Sequence, residues 1–174
     1  MKILILGSWQ KEKAQFYKKE AEELGKVLAD EGHTLISGGG TGISELVINS
    51  YKKHGGKHYT AYILSKKEME KVGEQIGPKP DKLIETNLDY PERNVVMVRE
   101  CDGAIAIHGG LGTLTEIIHA VKDYNKKVSV IDVGELAQWI RAIPDLKQKV
   151  LLTKDVKEAI KNIMLLNVTG GKNE

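Results

Sequence analysis

Residues 102–116, with the sequence DGAIAIHGGLGTLTE, contain the pattern that decides the fold. The apolar run at 103–107 has the length of a buried strand, and a helical pattern of apolar residues starts at Thr113. Gly109, Gly110 and Gly112 separate the two, which predicts a tight strand-to-helix turn. Backbone N–H groups in such a turn can approach an anion closely, and the helix start adds partial positive charge. The stretch therefore predicts one unit of a parallel α/β sheet with a candidate anion site in its turn.

The rest of the chain alternates short apolar runs with longer segments of helical period, which is typical of a parallel sheet covered by helices on both faces. The pattern predicts strands over residues 2–6, 34–37, 59–64, 82–85, 103–107, 128–132 and 151–153. It predicts helices over residues 12–30, 43–53, 91–99, 113–123, 135–141 and 156–164. We therefore expect an α/β fold of three layers, α/β/α, with a mainly parallel sheet.

The chain is expected to form a single domain over residues 1–168, followed by a disordered tail at 169–174. Its 174 residues, of which 41% are hydrophobic, are enough to bury one sizeable core. Residues 65–86 are the least regular part, because glycines and prolines lie there among many charges. We expect a surface excursion at that point, which could serve as a lid.

Composition argues against several classes of partner. Twenty-six basic and 24 acidic residues give a formal net charge of +2, too small to steer the protein toward nucleic acid or an anionic membrane. The first apolar run is too short to span a membrane, and no cleavage site follows it. Cys101 is the only cysteine, and the histidines lack the paired spacing of a helical zinc site. We expect a cytoplasmic protein without a metal or cofactor, which binds neither nucleic acid nor membranes.

Two further glycine loops follow predicted strands. The first strand leads into Gly7 and Ser8, and the second leads into the run Gly38, Gly39, Gly40, Thr41 and Gly42. If the strands take the order of a Rossmann sheet, both loops lie beside the turn at 109–113, at the edge of the sheet where ligands bind. The glycines could simply make tight turns, but two loops this rich in glycine favour the binding of an anion.

Missing motifs narrow the identity of the anion. The loop after the first strand lacks the G-x-G-x-x-G fingerprint, and no acidic residue ends the second strand, which argues against a dinucleotide-dependent dehydrogenase. The chain also lacks G-x-x-x-x-G-K-[ST], which argues against a P-loop NTPase. A nucleoside monophosphate, or another ligand with a terminal phosphate, remains.

The motifs resemble those of a known family. Arg93 and Asn94, followed by the stretch at 102–116, resemble the R-K and P-G-G-x-G-T-x-x-E signature of the Lonely Guy family, whose members were once named lysine decarboxylases. The loops at Gly7-Ser8 and at 37–40 are similar to the family's other two loops, so the resemblance extends from the first strand to about residue 132. It implies a Rossmann-like fold, homodimers or larger assemblies, and metal-free hydrolysis of the N-glycosidic bond of nucleoside 5′-monophosphates. A decarboxylase is not supported, because no lysine stands in the usual setting of pyridoxal phosphate.

The resemblance implies that Arg93 and Glu116 form the catalytic pair and that Gly109, Gly110, Gly112 and Thr113 hold the phosphate. A carboxylate at Glu116 could stabilise the oxocarbenium character that develops on the sugar, or orient the attacking water. Arg93 would supply a permanent charge and a fork of donors for the phosphate or the departing base. The alternatives are that Glu116 only counters the helix dipole in the first turn and that Arg93 is a solvated helix residue.

Two positions depart from the family signature. His108 stands where the motif has proline, and Asn94 stands where it has lysine. His108 could donate to phosphate or help to protonate a leaving base, or it could only pack at the strand end. Related proteins with diverged motifs of this kind include molybdenum-cofactor carriers, which bind a phosphorylated pterin without hydrolysing a nucleotide. Such a carrier is the second hypothesis for this chain.

Overall fold

The computed structural model describes residues 1–165, and these contain one seven-stranded sheet in which every pairing is parallel. The strands are β1 (Lys2–Gly7), β2 (Thr34–Ser37), β3 (Tyr59–Ile63), β4 (Lys82–Glu85), β5 (Gly103–Ile107), β6 (Lys127–Ile131) and β7 (Val150–Thr153). Their order across the sheet is β4-β3-β2-β1-β5-β6-β7. The predicted α/β class and Rossmann-like arrangement are confirmed.

Helices connect the strands and cover both faces of the sheet. They are α1 (Lys11–Gln15), α2 (Lys18–Asp30), α3 (Ile43–Lys53), α4 (Lys66–Val72), α5 (Tyr90–Glu100), α6 (Leu111–Ile118), α7 (Gly134–Ala142), α8 (Pro144–Lys149) and α9 (Val156–Met164). A π-helical turn, His119–Asp123, continues α6. No helix within residues 1–165 is long and apolar enough to cross a membrane.

Three helical details differ from the sequence prediction. The single helix expected over 12–30 is wrong, because the chain leaves helical geometry at Tyr17, where φ is −118° and ψ is 22°. The Tyr17 ring packs against His108 instead, with ring centroids 4.8 Å apart. The helix expected from 113 begins two residues earlier. Two short helices, α4 and α8, were not expected, although Pro144 occupies a favourable first-turn position in α8. The expected tail at 169–174, like residues 166–168 of the expected domain, lies outside the described residues.

Alternate side chains of the central strand β1 pack against helices on opposite faces of the sheet, which accounts for the three layers. Ile3 and Ile5 of β1 pack into a core with α2, α3 and α9, whereas Leu4 and Leu6 pack into a second core with α5, α6 and α7. Every one of these four side chains is at most 2% exposed, as expected for a parallel strand covered on both faces. Cys101 is part of the second core, where it packs as a small apolar residue.

The strand order brings the three glycine loops together. β1 is flanked by β2 and β5, and Gly7 at its end lies in register with Ile107. All three strands are parallel, so the loops that follow them meet at one edge of the sheet. The expectation that these loops converge is confirmed.

Candidate functional site

A cleft of about 520 Å³ opens at the carboxyl ends of β1, β2 and β5. This volume is within the usual range for small-molecule sites. All the predicted site residues line it except Gly39 and Gly42; those that do are Gly7, Ser8, Gly38, Gly40, Thr41, Arg93, His108, Gly109, Gly110, Gly112, Thr113 and Glu116. Within residues 1–165, no three His, Cys, Asp or Glu side chains converge as a metal site would require.

Gly39 and Gly42 shape the loop after β2 instead of lining the cleft. Gly42 has φ +78°, and a Cβ there would lie 2.1 Å from the Ser8 carbonyl oxygen. The next residue, Ile43, donates its N–H to that same oxygen at 2.9 Å. The Gly39 carbonyl accepts from the Gly77 N–H at 2.8 Å. Both glycines therefore fix the contacts of their loop with neighbouring segments.

The amino terminus of α6 presents unpaired backbone donors to the cleft. Gly110 precedes the helix in an extended conformation and has no side-chain cap. Over residues 1–165, the N–H groups of Leu111, Gly112 and Thr113 have no protein acceptor, and the first backbone bond of the helix is from the Leu114 N–H to the Gly110 carbonyl at 3.0 Å. A Cβ at Gly110 would meet nothing within 4 Å. Open space in front of free N–H groups at a helix start is a favourable position for an anion.

Glu116 lies in the second turn of α6 and is only 8% exposed. The helix starts at Leu111, so the alternative that Glu116 counters the helix dipole from the first turn is wrong. Burial raises the pKa of its carboxyl to about 8, Arg93 opposes that rise, and Glu74 adds to it. The carboxyl group therefore holds its proton at neutral pH unless a ligand or a neighbour changes its surroundings.

Arg93 is 2% exposed, so the alternative of a solvated helix residue is wrong. Its guanidinium donates to the backbone carbonyls of Gly38 and Tyr62, each at 2.9 Å, and to the two carboxylate oxygens of Glu74, each at 3.2 Å. Its Nε–H donates to the Asn94 side-chain oxygen at 3.0 Å. A Cβ at Gly38 would lie 2.5 Å from Nη1 of Arg93, so only glycine allows this approach. The guanidinium lies beneath the loop after β2 with most of its donors already used.

His108 combines packing with a position in the cleft. Its φ is +50°, and its Nδ1 is buried without a hydrogen-bond partner among residues 1–165. Burial lowers the pKa of the imidazole, Lys13 lowers it further, and Glu135 opposes both. The ring is therefore neutral at physiological pH, and a neutral imidazole can donate one hydrogen bond and accept another.

The sequence analysis missed several side chains that line the cleft: Trp9, Lys13, Glu74, Tyr90 and Glu135. Trp9 was open to prediction, because it follows the first glycine loop directly and is 55% exposed. Glu74 belongs to the irregular stretch at 65–86, which lies over the loop after β2 and brings a carboxylate to Arg93. No spacing or periodicity in that stretch indicates which of its charges enters the cleft.

The sequence matches a known family. Residues 1–160 match the model of the SLOG cluster4 family. An uncharacterized protein from Archaeoglobus fulgidus is 29% identical over 130 residues, which are 75% of this chain and 80% of that protein. The cytokinin riboside 5′-monophosphate phosphoribohydrolase LOG of Oryza sativa subsp. japonica is 35% identical over 108 residues, 60% of this chain. Those residues are 42% of the rice protein, so the chain spans less than half of this relative. The resemblance to the Lonely Guy family is confirmed.

Solved structures share the same fold. The molybdenum cofactor binding protein from Rippkaea orientalis has a TM-score of 0.72 at 26% identity, and the match covers 92% of this chain and 91% of that one. The Moco carrier protein of Chlamydomonas reinhardtii has a TM-score of 0.74 at 23% identity, covering 92% and 93% of the two chains. At that identity, the second likeness extends to the fold alone.

Proposed function

We propose, on the premise that this chain belongs to the SLOG cluster4 family, that it hydrolyses the N-glycosidic bond of nucleoside 5′-monophosphates to release the free base and ribose 5-phosphate. The observation that carries the proposal is the buried Glu116 carboxyl, one turn from the unpaired N–H groups that begin α6. A phosphate held at the helix start would place its ribose against that carboxyl. The curated name of the rice relative, a phosphoribohydrolase acting on a riboside 5′-monophosphate, supports the same reaction.

Backbone groups would bind the phosphate in this reaction. The N–H groups of Leu111, Gly112 and Thr113 supply donors and the positive end of the helix dipole. Ser8 and Gly40 also line the cleft and would contact the ribose and its phosphate. Because backbone N–H groups would hold the phosphate dianion, its binding does not depend on Arg93, which is already paired with Glu74.

Glu116 would act on the sugar. As the C1′–N bond breaks, positive charge develops on the ribose ring, and an adjacent carboxylate stabilises it. Water then adds its oxygen to C1′, one of its protons leaves with the base, and the ionised Glu116 orients that water. Because the pKa of Glu116 is raised to about 8, the active form becomes more abundant as the pH rises toward that value.

Arg93 and His108 would support this reaction from the edges of the site. Arg93 keeps a permanent positive charge close to Glu116 and favours its ionised form. A neutral imidazole at His108 can donate a hydrogen bond to the phosphate or to the departing base. The proposal also includes assembly into homodimers or larger oligomers and a cytoplasmic location, where the buried thiol of Cys101 stays reduced.

The experiment incubates metal-free protein with AMP, GMP, CMP, UMP and a cytokinin ribotide, and measures free base and ribose 5-phosphate by chromatography. Glu116→Gln keeps the shape of the side chain and removes its charge, and we expect it to abolish release of the base. Glu85→Gln, on the exposed edge strand β4, is the matched control and should retain activity. Release of base by Glu116→Gln at the wild-type rate would contradict the proposed role of Glu116.

A second candidate function is the binding of a phosphorylated pterin without hydrolysis. The observation that favours it is the protonated state of Glu116 at neutral pH, because a neutral acid donates a hydrogen bond well and stabilises an oxocarbenium ion poorly. The name of the Rippkaea orientalis neighbour, a molybdenum cofactor binding protein, points the same way. Saturable binding of a phosphorylated pterin, with no base released from any nucleotide, would replace the hydrolase proposal with this one.

A further inference from the structure

Glu74 is held over the cleft by its own segment of the chain. It follows α4, and its N–H donates to the Met69 carbonyl at 3.0 Å. Three residues later, the Gly77 N–H donates to the Gly39 carbonyl at 2.8 Å, which ties this segment to the loop after β2. The Glu74 side chain is 13% exposed, so it is a constrained, partly desolvated carboxylate rather than a free surface charge.

The Arg93 guanidinium is paired with the Glu74 carboxylate, and both residues line the cleft together with Glu116. Nη1 and Nη2 donate to the two oxygens of Glu74 at 3.2 Å, a bidentate arrangement that fixes the plane of the guanidinium as well as its position. Backbone carbonyls accept from Nη1 on the other side, so the group cannot turn away. Glu116 is close enough that Arg93 lowers its pKa and Glu74 raises it. Burial, followed by the charge of Glu116, raises the pKa of Tyr90, which belongs to the same helix as Arg93.

We propose that Glu74 is a positioning residue, which clamps the Arg93 guanidinium beside Glu116 and neutralises part of its charge. The proposal rests on the proposed function, in which Glu116 must lose its proton and then act on the sugar. With Glu74 in place, Arg93 already has a counter-ion, and the Glu116 carboxylate stays available to the ligand. Without Glu74, Glu116 becomes the nearest counter-ion of a buried guanidinium, and its ionised form is favoured at a lower pH. Glu74 therefore sets the pH at which Glu116 becomes active.

The test follows the titration of Glu116 directly by NMR, which needs no turnover. The side-chain carboxyl carbon of Glu116 is assigned in ¹³C-labelled protein as the signal that Glu116→Gln removes, and its chemical shift is recorded between about pH 5 and pH 10. In Glu74→Gln, we expect the midpoint to fall by about one pH unit, because a like charge is lost and Arg93 gains a free face. Glu70→Gln removes an exposed carboxylate from α4, in the same segment but away from Arg93, and should leave the midpoint unchanged.

The outcomes separate this proposal from the proposed reaction. An unchanged or higher midpoint in Glu74→Gln overturns the clamp, whatever the protein does to nucleotides. A lowered midpoint in a protein that releases no base supports the clamp and overturns the hydrolase. If Glu74→Gln does not fold, Glu74→Asp gives the same test: its carboxylate is one methylene shorter and binds the guanidinium less closely, so a smaller shift in the same direction is expected. In an active protein, the rising limb of kcat/KM should move to lower pH by the same amount as the midpoint.

Discussion

Replacing Glu116 with glutamine should change how the stability of the protein depends on pH. In the folded protein, burial raises the pKa of this carboxyl from 4.5 to about 8, whereas the unfolded chain exposes it to water. Between those two values the folded state keeps a proton that the unfolded state releases, so the free energy of unfolding falls as the pH rises. One pKa unit corresponds to about 1.4 kcal/mol, so the whole effect is on the order of 5 kcal/mol. Glutamine carries no titrating proton, and Glu116→Gln escapes this loss.

The assay is urea denaturation of the wild type and of Glu116→Gln at about pH 5.5, 6.5 and 7.5. The free energy of unfolding of Glu116→Gln, relative to wild type, should increase by about 1.4 kcal/mol for each pH unit and by roughly 3 kcal/mol across this range. Glu85→Gln, with its side chain in solvent, should follow the wild type at every pH. If Glu116→Gln and the wild type differ by the same amount at all three values, Glu116 has the same protonation state in the folded and unfolded chains over this range, and the account of its burial is wrong.

Three further predictions concern the cleft. The kcat/KM for a nucleoside monophosphate should rise about tenfold per pH unit below pH 8 and level off above it, since only the ionised Glu116 acts; a fall over that interval would make Glu116 a general acid instead. Gly38→Ala should lower the free energy of unfolding, measured by thermal denaturation, by about 1–3 kcal/mol, because its Cβ would lie 2.5 Å from Nη1 of Arg93. Gly110→Ala, whose Cβ would have no atom within 4 Å, should lower the free energy of unfolding by much less. If the exposed indole of Trp9 stacks on the base, adding Trp9→Ala to Glu116→Gln should weaken the binding of AMP by about 1–3 kcal/mol in calorimetry. Equal weakening of ribose 5-phosphate binding, which involves no base, would refute stacking.

Most of the sheet could be predicted from the sequence because its central strands are buried on both faces. A short apolar run such as Gly103–Ile107 that ends at glycines is typical of a fully buried strand followed by a turn. The break between α1 and α2 could not be predicted in the same way. Apolar residues continue at helical spacing through Tyr17, whereas in the folded protein the helix is interrupted there and the Tyr17 ring packs against His108.

The residues of the cleft likewise include some that could be predicted from the sequence and some that could not. Gly110, Thr113 and Glu116 are fixed by one local stretch, so their spacing alone predicts a loop followed by a carboxyl one turn later. The burial of Arg93 depends on Gly38 and Glu74, which lie 55 and 19 residues away along the chain. A single sequence contains no local pattern for contacts of that kind. For this reason, the sequence indicated that Arg93 belongs to the site, but not that its guanidinium is already paired with the Glu74 carboxylate.

The pairing of β1 with β5 has a consequence for how the molecule folds. Ile3 pairs with Gly103, so the two strands that flank the middle of the cleft are joined only when a stretch of about one hundred residues closes. Contacts this distant in sequence slow folding, and they cannot form on a ribosome until β5 has emerged. Until then β1 has β2 on one side and an open, apolar edge on the other, which is a hazard for aggregation. The cleft is therefore a late product of folding, and no amino-terminal fragment that stops before β5 contains it.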